Sequence, residues 1–271
     1  MIIYNYNKGR LGNSLFRLFA NIVLLLVYRT NGQIYNYIGP SNYCLDDNSF
    51  IIWMNDVLNS LPPCNLNLNN SILFDGYYQH DKIFVKYKNE IIRFILNNPD
   101  LIIKTHNNDS YKVIDFINYP LQKHYNIVVH LRLEDFIEIS QVINPNSIKI
   151  VIEELISNYP DEQICFVLNK PTTELEIKYV QFFTSKYSNI VIESNDVITD
   201  YTIMKNAKIL VCSCSTLSWA ASLLSTTLEK VYVPNYSQVN GSHQTFKKPI
   251  ENTVLYDIQT CNISDLNNIL Q

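Results

Sequence analysis

From Ile127 onward, short apolar runs alternate with longer segments carrying helix signals, and this alternation limits the fold more than any other feature of the chain. Ile127–Leu131, Gln163–Leu168, Ile190–Glu193, Lys208–Cys212 and Lys230–Val233, which stops at Pro234, read as strands. Asn146–Tyr159, Pro171–Tyr187, Asp200–Asn206 and Ser215–Leu224 read as the helices between them. Pro145 and Asn146 open the first helix, and Thr172 or Thr173 suits the cap of the second. Ile127–Leu131 is mostly apolar, the composition of a strand buried on both faces. Strands and helices alternating at these lengths predict a parallel sheet covered on both sides. In such sheets ligands bind beyond the carboxyl ends of the strands.

The first half is less regular. Met1–Tyr6 reads as a strand, Ser14–Tyr28 as a helix, Gln33–Tyr37 as a strand and Ile38–Ser49 as irregular chain. A helix over Ile51–Ser60 precedes the turn at Pro62-Pro63. Ile72–Tyr77 is a strand and Asp81–Leu96 a helix, while residues 97–126 carry mixed signals. No repeat or low-complexity linker is visible. The expectation for 271 residues is two α/β halves, 1–122 and 123–271, with the boundary near Leu121–Tyr125 and a ligand in the cleft between them.

Bulk properties narrow the function. At 47% hydrophobic and 17% charged residues, the chain can build a sizeable core. Its net charge of -4 and the lack of a basic tract argue against nucleic acid as a partner, so an anionic small molecule would be held by a few local cations. The six cysteines fit no zinc spacing, and Cys212 and Cys214 read as buried free thiols. Leu15–Tyr28 is interrupted by Arg17 and Asn21, so it reads as a buried helix and not a membrane span. With no signal peptide in view, the expected setting is soluble and cytoplasmic. The Asn-x-Ser triplets at Asn69, Asn108, Asn235, Asn240 and Asn262 are then expected to stay unmodified.

Three loops carry the chemistry. Gly9-Arg10-Leu11-Gly12-Asn13-Ser14-Leu15-Phe16 joins the first strand to the first helix, with two of the chain's 6 glycines three residues apart. Glycine permits positive φ or close backbone approach, a helix start offers unpaired N–H groups, and Arg10 adds a permanent charge. The same residues also suit an ordinary turn with a surface arginine. His130-Leu131-Arg132-Leu133-Glu134-Asp135-Phe136 follows the strand at Ile127. Arg132 there either pairs with Glu134 or Asp135 to cap the sheet, or grips a diphosphate through its planar fork. Cys212-Ser213-Cys214-Ser215-Thr216-Leu217-Ser218-Trp219 ends a strand in hydroxyls and starts an apolar helix. Ser215 suits a helix cap, and with Thr216 and free N–H groups it also suits an anion pocket; Trp219 reads as core. Two fixed cations and a helix start suit a nucleoside diphosphate bound without a metal. Neither an Asp-x-Asp pair at a strand end nor a Walker loop is present.

These motifs resemble those of the α-1,2-fucosyltransferase family and its wider relatives, the protein O-fucosyltransferases. The first loop resembles Gly-Arg-Leu-Gly-Asn-Gln-Leu/Met-Phe, the second His-x-Arg-Arg-Gly-Asp-Tyr, and Met204 to Trp219 the segment leading into Asn-Ser-Thr-Phe-Ser-Trp-Trp. Gly76-Tyr77-Tyr78-Gln79-His80-Asp81-Lys82-Ile83-Phe84 is similar to a fourth block, Gly-Tyr-Phe/Trp-Gln-Ser-x-Lys-Tyr-Phe. All four occur in the family's order. The chain departs from it at Leu133, in place of a second arginine, at Glu134, in place of glycine, at Cys214, in place of asparagine, and at Ala220, in place of tryptophan.

The resemblance implies two facing Rossmann-like domains of the GT-B type. It implies an inverting, metal-independent transfer of fucose from GDP-fucose to a glycan hydroxyl, with no cofactor. Arg132 would stabilise the departing diphosphate, with Ser213, Ser215 and Thr216 as further donors and His130 and Asp135 orienting the arginine or the nucleotide. Arg10 and Asn13 would come from the acceptor-side domain. Asp135, Asp81 and His243 are the candidates for a general base. Another nucleotide-deoxyhexose donor, or a non-catalytic nucleotide-sugar-binding module, remain open, with Leu133 and Glu134 favouring the latter.

Overall fold

The computed structural model describes residues 1–60, 71–235 and 248–271. Cys64, the Pro62-Pro63 turn, the triplets starting at Asn69 and Asn240, and the base candidate His243 fall outside these residues. The chain divides into two compact α/β units, Met1–Asn118 and Tyr119–Gln271.

The N-terminal unit contains β1 (Ile2–Asn5), α1 (Leu11–Val27), β2 (Gln33–Tyr35), β3 (Tyr43–Asp46), α2 (Asp47–Leu58) and β4 (Ser71–Asp75). There follow α3 (Asp81–Lys86), α4 (Lys88–Asn97), the hairpin strands β5 (Ile102–Lys104) and β6 (Ser110–Lys112), and α5 (Asp115–Asn118). Its main sheet has the order β2-β1-β4-β3, with every pair parallel. Helix α1 is buried over most of its length, and Leu15, Phe16, Phe19 and Ile22 are sealed from solvent. At 17 residues it falls short of the roughly 20 needed to span a bilayer, and among the described residues no helix is long and apolar enough to cross a membrane.

Several expected boundaries move. Helix α1 begins at Leu11, so Gly12 and Asn13 lie in its first turn and Arg10 is its N-cap. The segment read as irregular contains β3 and the start of α2, whose N-cap Asp46 accepts from Ser49 N at 2.8 Å. That cap is an Asp–x–x–Ser signal hidden in a run of polar residues. The helix expected over Asp81–Leu96 is broken at Tyr87.

The C-terminal unit runs β7 (Ile127–His130), α6 (Glu134–Glu138), β8 (Val142–Ile143), α7 (Pro145–Asn158), β9 (Ile164–Val167), α8 (Glu174–Thr184) and β10 (Ile190–Glu193). It continues with α9 (Val197–Lys205), β11 (Ile209–Val211), α10 (Thr216–Leu224), β12 (Lys230–Pro234), β13 (Thr253–Tyr256), β14 (Thr260–Cys261) and α11 (Ile263–Ile269). The six-stranded sheet has the order β10-β9-β7-β11-β12-β13, all parallel. Numbered from β7 and counting only strands of this sheet, that is the 3-2-1-4-5-6 order of a dinucleotide-binding fold. Strands β7 and β9 are buried at every residue, as apolar runs between two helical layers must be. Helix signals are met locally: Asn144 caps α7 ahead of Pro145, Thr173 and Glu176 form a capping box on α8, and Asp196 caps α9. Cys165, Cys212, Cys214 and Cys261 are buried free thiols, whereas Cys44 is exposed.

Candidate functional site

The strand order of the C-terminal sheet reverses between β7 and β11. A crevice forms at such a switch point because the connections leaving the two adjacent strands diverge to opposite faces of the sheet. The second and third motifs leave the carboxyl ends of these two strands. They are directly linked: Ser213 Oγ lies 2.9 Å from His130 Nδ1, joining residues 83 positions apart. His130 is buried, and burial lowers its pKa to about 4, so the imidazole is neutral at pH 7. It therefore supports the Ser213 turn without adding a cation to the crevice.

Arg132 stands just beyond β7, with its side chain 14% exposed. Its Nη2 donates to Asp135 Oδ1 at 2.8 Å and lies 3.5 Å from Glu134 Oε2, and its guanidinium carbon is 5.8 Å from the centre of the Phe136 ring. The pairing with neighbouring carboxylates thus occurs, and both contacts fall on one nitrogen. A recess of about 200 Å³, counting its open mouth, lies beside it, lined by Leu131, Arg132, Phe136, Tyr179, Ser213 and Cys214 among others. Most of that space is the open mouth; the enclosed part, about 10 Å³, has room for roughly one water molecule.

Ser215 is the N-cap of α10; its hydroxyl accepts from Leu217 N at 3.2 Å. Thr216 is the first helical residue and is half-buried. The start of α10, with its positive dipole end, therefore belongs to the loop leaving β11, next to the strand that carries Arg132. Trp219 is fully buried.

Two residues not singled out from sequence hold the Arg132 loop. Glu176, buried on α8, accepts from Thr172 N at 2.7 Å, Thr173 N at 2.8 Å and, through its other oxygen, Glu134 N at 3.1 Å. Asn169, beyond β9, donates to Glu134 Oε1. The Thr173-x-x-Glu176 capping pattern was a readable signal for the first. Glu134 itself has φ +27°, in the left-handed region. A side chain there costs about 1–2 kcal/mol relative to glycine, which explains why glycine suits this position in the resembling motif.

The N-terminal unit holds the other two motifs, and they interlock. Gly9 has φ +71°, and a Cβ on it would collide with the Asn13 amide. Asn13 Oδ1 accepts from Gln79 Nε2 at 2.9 Å. Arg17, only 2% exposed, donates to Lys8 O at 3.0 Å and Gly76 O at 3.3 Å, tying the loop after β1 to the loop after β4. Burial lowers its pKa, opposed by the nearby Tyr78, Tyr77, Asp47 and Asp75. Asp47 in turn accepts from Tyr77 N and Tyr78 N, at 3.0 and 2.7 Å. Arg10 is exposed at the head of α1, and Asp81 opens α3 in this same unit. Sequence reading treated Arg17 as an interruption of an apolar helix; a lone charge inside such a run was the signal for an internal anchor.

No family model matches the chain, and no curated protein matches it. Among solved structures, the chain is similar to POFUT1 in complex with GDP, at 10% identity over 86% of this chain and 97% of that one, with a TM-score of 0.46. A mutant of Arabidopsis thaliana FUT1 in complex with GDP matches at 9% identity, over 90% of this chain and 71% of that one, with a TM-score of 0.41. The S. aureus MnaA–UDP structure matches at 9% identity, over 86% and 78%, with a TM-score of 0.34.

Proposed function

We propose that the chain is a glycosyltransferase with a nucleoside diphosphate sugar as donor: GDP-fucose, passed to a glycan hydroxyl in the manner of a galactoside α-1,2-fucosyltransferase. The observation that carries the reading is that, at the switch point of a 3-2-1-4-5-6 sheet, Arg132 lines one recess with Ser213 and Cys214, just ahead of the α10 N-cap Ser215, while His130 bonds to Ser213. A permanent cation and a helix start at that position suit an anionic group at one end of a nucleotide.

In the inverting reaction, the acceptor oxygen bonds to the anomeric carbon from the face opposite the diphosphate. The bond from that carbon to the diphosphate oxygen breaks, and its electron pair leaves with the diphosphate. Charge grows on the departing group, so donors aimed there lower the barrier. Arg132 is assigned that role through Nη1 and Nε, the nitrogens not paired with Asp135 and Glu134, with Ser215, Thr216 and the α10 N–H groups in support. Asp135 fixes the arginine. Neutral His130 fixes Ser213. Arg10 is assigned to the same reaction as a cation, with Asn13 holding its loop in shape. The acceptor proton passes to solvent or late to the leaving diphosphate; the reading needs no metal.

The test is thermal stability with GDP, UDP and GDP-fucose, followed by transfer assays with a panel of nucleotide sugars, with and without EDTA. A ligand at about 100 times its Kd stabilises its unit by roughly 2.7 kcal/mol. No shift with any nucleotide rejects the reading, and loss of transfer in EDTA rejects its metal-free form. A second reading, a nucleotide-sugar-binding module without turnover, draws on Glu134, whose carboxylate lies 3.5 Å from Arg132. It predicts binding with no transfer to any acceptor.

A further inference from the structure

We infer that the N-terminal unit carries a carbohydrate-binding surface: a tyrosine platform around Tyr37, on the sheet face turned away from α1, that stacks on the rings of a neutral oligosaccharide. This surface belongs to the N-terminal unit and needs nothing of the proposed nucleotide site.

A parallel sheet normally has both faces covered. In this sheet the two faces differ. Ile3, Ile72 and Phe74 are sealed from solvent, and Asn21 of α1 donates to Asn5 Oδ1 at 2.9 Å. Contacts of Phe84 with Phe16 and Phe50 gather α2 and α3 around α1. The alternate strand residues point the other way. In-register pairing sets Tyr35, Tyr4, Leu73 and Cys44 in one row across the four strands, beside a row of Gln33, Ile2 and Ser71. On this second face Ile2, Gln33 and Cys44 are exposed, and Leu73 and Ser71 are half-buried.

The chain leaving β2 turns back over that face. Gly39 lies so close to the Tyr4 ring that a Cβ on it would strike the ring. Tyr37 thereby meets Tyr4 and Tyr35, with ring centres 5.6 and 5.4 Å away, and those two rings are themselves 5.6 Å apart. Both flanks of the crossing are fastened. Asn7 Nδ2 donates to Asn36 O at 2.8 Å, Asn36 Nδ2 to Ile102 O at 2.7 Å, and Ser71 Oγ to Pro40 O at 2.7 Å. Tyr37 is nonetheless 54% exposed. A large exposed ring already held by two others gives up little rotamer freedom on binding. Tyr6, two residues beyond Tyr4, is 40% exposed; Lys8 Nζ lies 4.8 Å from its ring centre and pairs with Asp75.

The chemistry of the face selects a sugar. A pyranose presents C–H groups on its faces and hydroxyls around its rim, so it suits aromatic rings with polar groups beside them, here Lys8 and Asp75. Size disfavours a second copy of the chain. Four strands about 4.8 Å apart, the longest of 5 residues at about 3.3 Å each, make a face of roughly 14 by 16 Å. That is about 230 Å², against the ~800 Å² per partner of a standard stable interface, and it matches the footprint of a short oligosaccharide. Charge disfavours nucleic acid and anionic lipid. Asp46 and Asp75 lie side by side at the ends of β3 and β4, and the chain carries a net charge of -4.

The experiment applies the full chain, without nucleotide, to an array of neutral glycans. The best-bound oligosaccharide is then titrated by calorimetry into the unaltered protein, Tyr37→Ala and Tyr37→Phe. The expected result is a loss of affinity of about tenfold or more in Tyr37→Ala and a change within about threefold in Tyr37→Phe, which keeps the ring. Should Tyr37→Ala fail to fold, Tyr6→Ala is the second variant, with an expected loss of about threefold or more. An array on which no glycan binds overturns the inference. Equal affinity in the unaltered protein and the alanine variants also overturns it, since the sugar then binds elsewhere. A dimer in sedimentation that Tyr37→Ala dissociates overturns it too, because the face is then covered by a second copy. Glycan binding that needs the Tyr37 ring, in a protein that shows no thermal shift with GDP, rejects the nucleotide site and leaves this surface standing.

Discussion

Replacing Glu176 with alanine tests how the Arg132 loop is held in place. The carboxylate is 3% exposed and serves three backbone N–H groups, of Thr172, Thr173 and Glu134, and the Thr172 hydroxyl. A buried donor left without a partner costs about 1–3 kcal/mol. Water entering the space of the lost side chain recovers part of that for Thr172 and Thr173 at the head of α8, so the expected loss is about 3–4 kcal/mol, a large share of the ~5–15 kcal/mol of a typical domain. Trp53 lies in the N-terminal unit and Trp219 in the C-terminal one. Urea unfolding followed by fluorescence in a Trp53→Phe background therefore reports the affected unit. The pH dependence adds a check. Burial raises the Glu176 pKa, but the bonds from Thr172 and Thr173 outweigh it and leave the group below its ordinary value. A depressed carboxylate stabilises above its unfolded pKa and loses that contribution as pH falls through the folded value. The gap between wild type and variant should therefore be full at pH 7 and shrink below about pH 4. A loss under about 1 kcal/mol at pH 7, with an unchanged denaturant slope, would refute the reasoning.

Arg132→Ala should lower turnover by roughly 10²-fold or more, the scale for removing one transition-state donor, and Arg132→Lys should also be poor because the planar fork is lost; near-normal activity of either removes Arg132 from the mechanism. Because burial holds the His130 pKa at about 4, the unfolded chain takes up that proton first as pH falls. Stability of the C-terminal unit should then drop between about pH 6.5 and 4 by up to roughly 3 kcal/mol, and His130→Asn should flatten that slope; parallel curves would count against it. Gly9→Ala places a side chain at φ +71° against the Asn13 amide, so the N-terminal unit should lose about 1–2 kcal/mol or more, read from Trp53 fluorescence, and an unchanged midpoint would contradict the geometry.

Most of the C-terminal sheet was legible because β7, β9 and β11 are buried at every residue and read as apolar runs, and α7, α8, α9 and α10 carry side-chain caps; the outer strand β13, only partly buried, was not read from sequence, and α6 has no cap to announce it. Sequence order predicts parallel strands, but not that β11 lies next to β7. That adjacency brings His130 to Ser213, and it depends on the crossover, a long-range packing outcome. The N-terminal half was harder. Strand β3 is Tyr-Cys-Leu-Asp with only Leu45 buried, so it has no apolar run to recognise. The early start of α1 was missed because glycine and asparagine read as loop; Leu11 and Gly12 are buried there and packing overrides propensity. The pairing of Arg132 with Asp135 was foreseen as one of two alternatives, while the grip of Glu176 on Glu134, across 42 positions, could not be read from either motif alone.

The two arginine loops solve opposite problems, and this bears on where the nucleotide is expected. In the N-terminal unit the groups around Arg10 are spent on one another. Lys8 pairs with Asp75, Asn13 with Gln79, the His106 ring with Gly9 O at 3.0 Å, and Arg17 with the carbonyls of Lys8 and Gly76. That frame carries Arg10, exposed at the head of α1, on a fixed backbone. At the C-terminal switch point the frame is equally fixed, through His130–Ser213 and Glu176, but it surrounds a recess and a guanidinium with only one nitrogen engaged. Rigid donors around open space stabilise charge that develops during a reaction, because no reorganisation is needed when the charge appears. The proposed reading therefore predicts that truncating Arg132 weakens nucleotide binding as well as turnover, while truncating Arg10 lowers turnover more than affinity.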